Sequence, residues 1–276
     1  MQLRPSRILT ALALTALASP ALAELRLVSQ VPGLDLVRLA TLPAAPEMEG
    51  EAEFCTHLFV EAATTAGGRD ATAKGWHVTA EALLGDLTAV SFVGSASPAT
   101  SGSCELQDGN VALYSGSQLV ALVYGTKPDE LRVASLRPFG TGLRILSGDL
   151  IAATTADLSY DGSTLTIAAP AAEEPVCNGA ATVPAIEGQP IDRARQTLIA
   201  AGWQPVPGDP AQQALGWARD LAAAGVPEVE DCSGTGFGFC AFSYAGPAAT
   251  LSVVTAGEGG EDGSLPAVVR YGVDCK

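Results

Sequence analysis

The residues of this chain best equipped for chemistry are six cysteines, two histidines and a few serine-bearing loops. The cysteines are Cys55, Cys104, Cys177, Cys232, Cys240 and Cys275. A thiolate can hold a metal or attack a disulfide, but such sites tend to space cysteines as C-x-x-C, and this chain has no such pair. An even number in an oxidising compartment points to disulfides instead. The boundary argued below isolates Cys55 and Cys104 from the other four, so these two are expected to pair. Cys232 and Cys240 are near enough in sequence to staple a hairpin, and Cys177 could then reach Cys275.

His57, then Asp70 or Asp86, then Ser101 stand in the order of a His-Asp-Ser relay. Ser101-Gly102-Ser103 before a strand hairpin is similar to the nucleophile region of trypsin-like proteases. Three features run against that reading. Ser101 follows Thr100 rather than Gly-Asp, His57 sits in Cys55-Thr56-His57, and too little chain precedes Ser101 for the first barrel of such an enzyme. The sequence therefore assigns no catalytic residue, and a secreted hydrolase near His57 and Ser101 stands only as the alternative. His57, His77 and Cys55 match no compact zinc spacing. Glu258 to Gly263 lacks the alternating oxygen donors of a calcium loop. No metal ligand and no cofactor is assigned.

Aromatic residues offer the other candidate chemistry, which is recognition. Between Cys232 and Cys240 the chain is glycine-rich and carries Phe237 and Phe239. These rings either pack on Phe242 or Trp217, or form an exposed apolar tip that meets a partner. The candidate recognition surface comprises Trp203, Trp217, Phe237, Phe239, Phe242 and Tyr244.

The elements that must position these residues begin after a leader. Residues 1–23 read as a signal peptide: Arg4 and Arg7, an apolar run from Ile8 to Leu17, then Ala21-Leu22-Ala23. The run is too short to span a bilayer, which takes about 20 residues. No later stretch is long and apolar enough, so a periplasmic or secreted location without a transmembrane segment is expected. Removing the leader leaves 13 basic against 30 acidic residues. Such a charge repels phosphate backbones and anionic lipid faces, which argues against nucleic acid and membrane surfaces as partners.

The clearest break is 168–175, Ala-Ala-Pro-Ala-Ala-Glu-Glu-Pro, which reads as a linker. Residues 24–167 are expected to form a mainly β domain, a small sandwich or barrel. Val111 to Tyr124 around Ser115-Gly116-Ser117 and Leu158 to Ile167 around Asp161-Gly162 are its best hairpins. Leu25 to Ser29 and Glu53 to Glu61 are further strand candidates, and Thr79 to Leu84 could hold a helical turn. The loops near Pro43 to Glu51 and Ser95 to Ser103 are expected to be exposed.

Residues 176–276 read as an α+β domain, two helices on a small antiparallel sheet. Pro190 opens the first helix, with Ile191, Ala194, Leu198 and Ala201 on one face and Gly202 at its end. Asp209 and Pro210 open the second, which Gly225 closes. Strands are expected at Glu228 to Cys232, Cys240 to Tyr244, Leu251 to Thr255 and Ala267 to Val273. In the last, Ala267, Val269, Tyr271, Val273 and Cys275 share a side, which predicts a buried bridge at Cys275.

From Val183 to Trp203 the chain resembles the opening of a PASTA domain. Val183, Pro184, Ile186, Gly188, Ala194, Leu198, Gly202 and Trp203 fall in the register of that family's strand, turn, helix and closing glycine. The resemblance implies an extracytoplasmic module that contacts cell-wall peptidoglycan or a protein partner. Together the readings point to an exported, disulfide-stabilised binding or envelope-associated protein.

Overall fold

The computed structural model describes residues 25–46, 52–127, 130–214 and 216–276. The expected leader and part of the Pro43 to Glu51 loop lie outside them. Strands β1 (Arg26–Ser29) and β2 (Leu34–Val37) precede a 3-10 segment at Ala52–Leu58 and helix α1 (Ala66–Ala73). Next come β3 (His77–Leu84), β4 (Leu87–Val93), β5 (Ser95–Pro98) and β6 (Cys104–Gln107). They are followed by β7 (Asn110–Ser115), β8 (Gln118–Gly125), β9 (Ser135–Phe139), β10 (Gly142–Ser147), β11 (Ala153–Tyr160) and β12 (Thr164–Ala168). The chain continues through β13 (Glu173–Val176), β14 (Ala181–Pro184), α2 (Ile191–Ala200), β15 (Gln204–Pro205) and α3 (Gly216–Ala223). It ends in β16 (Val229–Cys232), β17 (Cys240–Ala245), β18 (Ala249–Ala256) and β19 (Ala267–Cys275). The molecule is mostly β, as expected.

Two sheets in the N-terminal part, ordered β1-β12-β11-β10-β9 and β2-β8-β7-β4-β3, face one another. Leu113, Val123 and Leu84 of one meet Ile145, Leu158 and Leu165 of the other in a shared core. Strand alternation sends every second side chain to this shared face, and those residues are apolar. The opposite face of the second sheet buries Phe92, Val90 and Tyr114 under Ala71 of α1 and Trp76. In the C-terminal part, α2 and α3 cover a sheet ordered β15-β17-β18-β19, with β16 also on β17. Ala194, Leu198 and Leu221 pack there on Phe242, Leu251 and Val253. The β13–β14 ribbon lies between the two parts in sequence.

Several expectations are corrected. Thr79 to Leu84 is strand, not a helical turn, because pairing with β4 overrides the helix-forming Ala-Glu-Ala-Leu-Leu run. The helix lies earlier, at Ala66–Ala73, in a stretch with two glycines and no apolar stripe. Its two glycines exist for close approach: a Cβ on Gly67 would stand 2.4 Å from the Tyr114 ring, and one on Gly68 2.1 Å from the Glu81 carboxylate. The Glu53 to Glu61 strand candidate is instead the 3-10 segment around buried Cys55. Within the Ser95 to Ser103 loop, Ser95–Pro98 is a strand on β6 and Ala96 is buried. The 168–175 stretch becomes strand at Glu173, where Glu174 pairs with Val183. The second helix is shorter than expected. Asp209 accepts the Ala211 amide, but Gly216 at φ 51 restarts the helix after a 3-10 turn.

Strand β19 also departs from simple alternation. Its register with β18 slips between Val254 and Thr255, leaving Val269 as the extra residue. A bulge switches the inward face. Val268 therefore enters the core. Cys275 keeps the side of Tyr271 and Val273, but at the strand's last position it is exposed rather than buried.

Glu81 of β3 anchors the start of α1. Its carboxylate accepts the amides of Thr64 and Thr65 at 2.8 and 2.9 Å and both hydroxyls. Burial opposes ionisation, but these hydrogen bonds outweigh it and hold the carboxyl below the ordinary glutamate value of 4.5. A depressed carboxyl stabilises the fold above its unfolded value, and that contribution drains away as pH falls through the folded one. Glu81→Gln is expected to weaken the fold near neutrality and to flatten the loss of stability below pH 4.5, read as urea midpoints across the acid range.

Candidate functional site

The expected disulfides are present: Cys55–Cys104, Cys177–Cys275 and Cys232–Cys240, with S–S distances of 2.04 to 2.08 Å. His57 is exposed at the end of the 3-10 segment that carries Cys55. It lies with Asp149 and Cys104 in a cluster whose donor atoms are all within 4.8 Å of one another. The Cys104 sulfur is bonded to Cys55, so it offers no thiolate, and Asp149 accepts the Cys104 amide at 2.9 Å. Within this cluster the hydrogen bond from the Cys104 amide to Asp149 is the tie, beside a disulfide. His77 stands elsewhere, stacked on Phe59 at 4.5 Å, where burial lowers its pKa.

Ser101 sits in an exposed turn at φ 58. No hydrogen bond joins it to His57 among the described residues. Asp70 is engaged elsewhere, accepting from Lys74 at 2.8 Å and from the Tyr114 hydroxyl at 2.9 Å. Asp86 lies in the β3–β4 turn, where its charge acts on Tyr160. The His-Asp-Ser order in the sequence is therefore not assembled into a relay.

The aromatic set divides in two. Trp203, Phe242 and Tyr244 are interior, at 3 %, 0 % and 0 % exposure, and are corrected from surface to core. Trp203 donates its indole N–H to the Thr182 carbonyl at 2.9 Å, and Phe242 and Tyr244 lie on the inward face of β17. Trp217, Phe237 and Phe239 are half-buried. Phe237 and Phe239 are in ring contact at 5.7 Å, and the Arg270 guanidinium lies 5.3 Å from the Phe239 centroid. The glycine-rich loop rests on Trp217: a Cβ on Gly238 would stand 3.0 Å from that ring. Its tip reaches the N-terminal part, where a Cβ on Gly236 would stand 3.9 Å from Ser101 Oγ.

Charged groups also join the two parts. Arg144, 4 % exposed, binds Asp157 through two hydrogen bonds of 2.7 and 3.1 Å and stacks over Phe139 at 3.6 Å. Its guanidinium is 3.8 Å from Glu174 of β13. Glu174 takes a bidentate pair from Arg137 of β9 and a hydrogen bond from the Tyr271 hydroxyl of β19. Burial and the Glu174 charge push the Tyr271 hydroxyl far up, so it remains a donor. Thr154 and Glu187 add another hydrogen bond between β11 and the C-terminal part.

These ties frame a groove of about 430 Å³ between the beginning of β11 and the flank of β19. Ala152, Ala153, Ala171, Ala185, Ala267 and Val269 give it an apolar lining. Through Ile151, Ala267 and Val269 it meets a second hollow of about 590 Å³, bounded by Trp217, Phe237 and the glycine-rich loop. Ile151 is 44 % exposed although apolar. Sequence reasoning found the loop but missed the groove. Its alanines are dispersed along the chain and come together only in the folded protein. No protein-family description, curated protein or solved structure matches this chain.

Proposed function

We propose that the chain is an exported, disulfide-stabilised binding protein of the cell envelope, with domains at 24–167 and 176–276 meeting at a ligand groove. The groove at the junction carries this reading. It is apolar, it is framed by side chains of both parts, and buried ion pairs hold its walls together. Clefts of this kind, between two bodies, are where ligands bind. Three disulfides and the leader-like N-terminus support an oxidising location. Among the described residues no helix is long and apolar enough to cross a membrane.

The PASTA resemblance gives the ligand class as peptidoglycan or an envelope protein. The strand β14, the turn at Gly188, the helix α2 and the closing Gly202 at φ 91 support that likeness. Protein lacking residues 1–23 is expected to pellet with purified peptidoglycan sacculi and to stay in the supernatant without them. Protein left in the supernatant in both cases would remove peptidoglycan as the ligand.

A further inference from the structure

The walls of the groove are strand margins. Strand β12 ends opposite Asp157, with Ala168 as its last partner, so Ala153 to Ala156 of β11 have no strand on that side. Strand β19 is the last of its sheet. The Lys276 amide donates to the Ala248 carbonyl at 2.9 Å, which sets the alternation of the β18–β19 ladder. Arg270, Gly272 and Asp274 exchange bonds with β18, while Tyr271 and Val273 turn their N–H and C=O outward. Only Val268 finds outward partners, at Gly188 and Gln189. Among the described residues nothing meets the outward backbone groups of Tyr271 and Val273. Unpaired margins of this length invite an added strand, and natural proteins usually cover or charge them.

From these margins we infer that the groove takes an extended, basic polypeptide segment, which adds as a strand between β11 and β19. This rests on the reading of the protein as a binding protein and names what it binds. Hydrogen bonding to the exposed backbone would give affinity, and the apolar floor would accept alternate side chains. The field fixes the sign of the partner's charge. The chain carries a formal charge of −15. Arg144 at the groove floor is neutralised by Asp157 and Glu174, and Arg270 is drawn over Phe239. Glu187 and Glu258 remain along the two hollows. A chain of this net charge, with Glu187 and Glu258 beside the apolar walls, attracts cationic segments and repels anionic ones.

The test uses the full chain without residues 1–23 and three fluorescent peptides of equal length. One alternates valine and lysine, the second alternates valine and glutamate, and the third is the lysine peptide N-methylated at alternate residues. The lysine peptide is expected to bind, and the other two to bind at least about tenfold more weakly. Ala153→Lys places bulk and positive charge at an exposed alanine of the groove and should weaken the lysine peptide by about tenfold. Glu258→Lys, at a second exposed position, should weaken it by a smaller factor. Thermal midpoints equal to the parent's show that both variants fold. Equal binding of all three peptides, or full binding by both variants, overturns strand addition in the groove. No peptide binding together with pelleting on sacculi sinks this inference and leaves the envelope reading standing. Lysine-peptide binding without pelleting does the reverse.

Discussion

Replacing Cys177 and Cys275 together by alanine is expected to remove about 4 kcal/mol of stability, the largest loss from any of the three bridges. The bridge joins residues 98 apart, against 49 for Cys55–Cys104 and 8 for Cys232–Cys240. In the chain-entropy picture the longest loop restrains the unfolded chain most, by about 4.7 kcal/mol for a loop near this length, and the shortest by about 2–3 kcal/mol. Little packing is lost with the sulfurs, because Cys275 is exposed. An opposing effect comes from backbone strain. Cys177 and Asn178 have φ of 53 and 57, a left-handed conformation that costs roughly 1 kcal/mol per residue. Part of that strain relaxes once the bridge is gone, so the measured loss should fall somewhat below the entropic figure. Guanidinium unfolding of the three double variants gives the ranking. A Cys177/Cys275 variant less affected than the Cys232/Cys240 variant would show that the unfolded chain is already restrained there by other means.

Where the sequence reads true, the reason is local. The Val111 to Tyr124 hairpin sets two apolar runs around a Ser-Gly-Ser turn, Leu158 to Ile167 alternates apolar and polar residues around Asp-Gly, and both form as expected. Helix α2 shows its inward stripe at Ile191, Ala194 and Leu198 because nothing else in that stretch competes with the helical period. The pairing of Cys55 with Cys104 follows from the position of one break in the chain, whereas that break leaves the pairing of the other four open. What was illegible is set by tertiary contact. The glycines of α1 advertise a loop, yet they let a helix lie against Tyr114. Alternation along β19 fails at one bulge, which carries Val268 inward, and Cys275 is exposed because the strand ends there. Trp203, Phe242 and Tyr244 carry polar atoms or large rings that look suited to recognition, but the first and last find internal hydrogen-bond partners and all three fill the core. The groove depends on residues from Arg144 to Tyr271, so no single window of sequence contains it. Buried charge is the least readable feature, since nothing adjacent in sequence marks Arg144 or Glu228 as interior.

Glu228→Ala is expected to cost about 3–4 kcal/mol, enough to threaten a domain whose whole margin is roughly 5–15 kcal/mol. Glu228 is fully buried just before β16. Its carboxylate accepts the Tyr244 hydroxyl at 2.7 Å and the Arg195 Nε at 3.0 Å. The three residues come from β17, α2 and the approach to β16, so one acid ties the helix to the sheet. Removing it strands two donors unequally. The Arg195 side chain is 28 % exposed and can turn toward water. Tyr244 is fully buried, and its hydroxyl has nowhere to go, which alone costs about 1–3 kcal/mol. Burial and the neighbouring carboxylate both push the Tyr244 hydroxyl up, so it stays protonated and the penalty does not fade at neutral or mildly alkaline pH. Glu228→Gln keeps an acceptor for Tyr244 but loses the charge and turns an amide NH2 toward the Arg195 donor, so it should cost about 1–2 kcal/mol, and Tyr244→Phe about 1 kcal/mol. The order Ala, Gln, Phe is the decisive measurement, read from urea midpoints at neutral pH. In the Glu228→Ala, Tyr244→Phe double variant the stranded hydroxyl is gone, so its loss should be smaller than the sum of the single losses. Losses that simply add would mean that water reaches Tyr244 in the single variant and that the acid does not hold the helix through that hydroxyl.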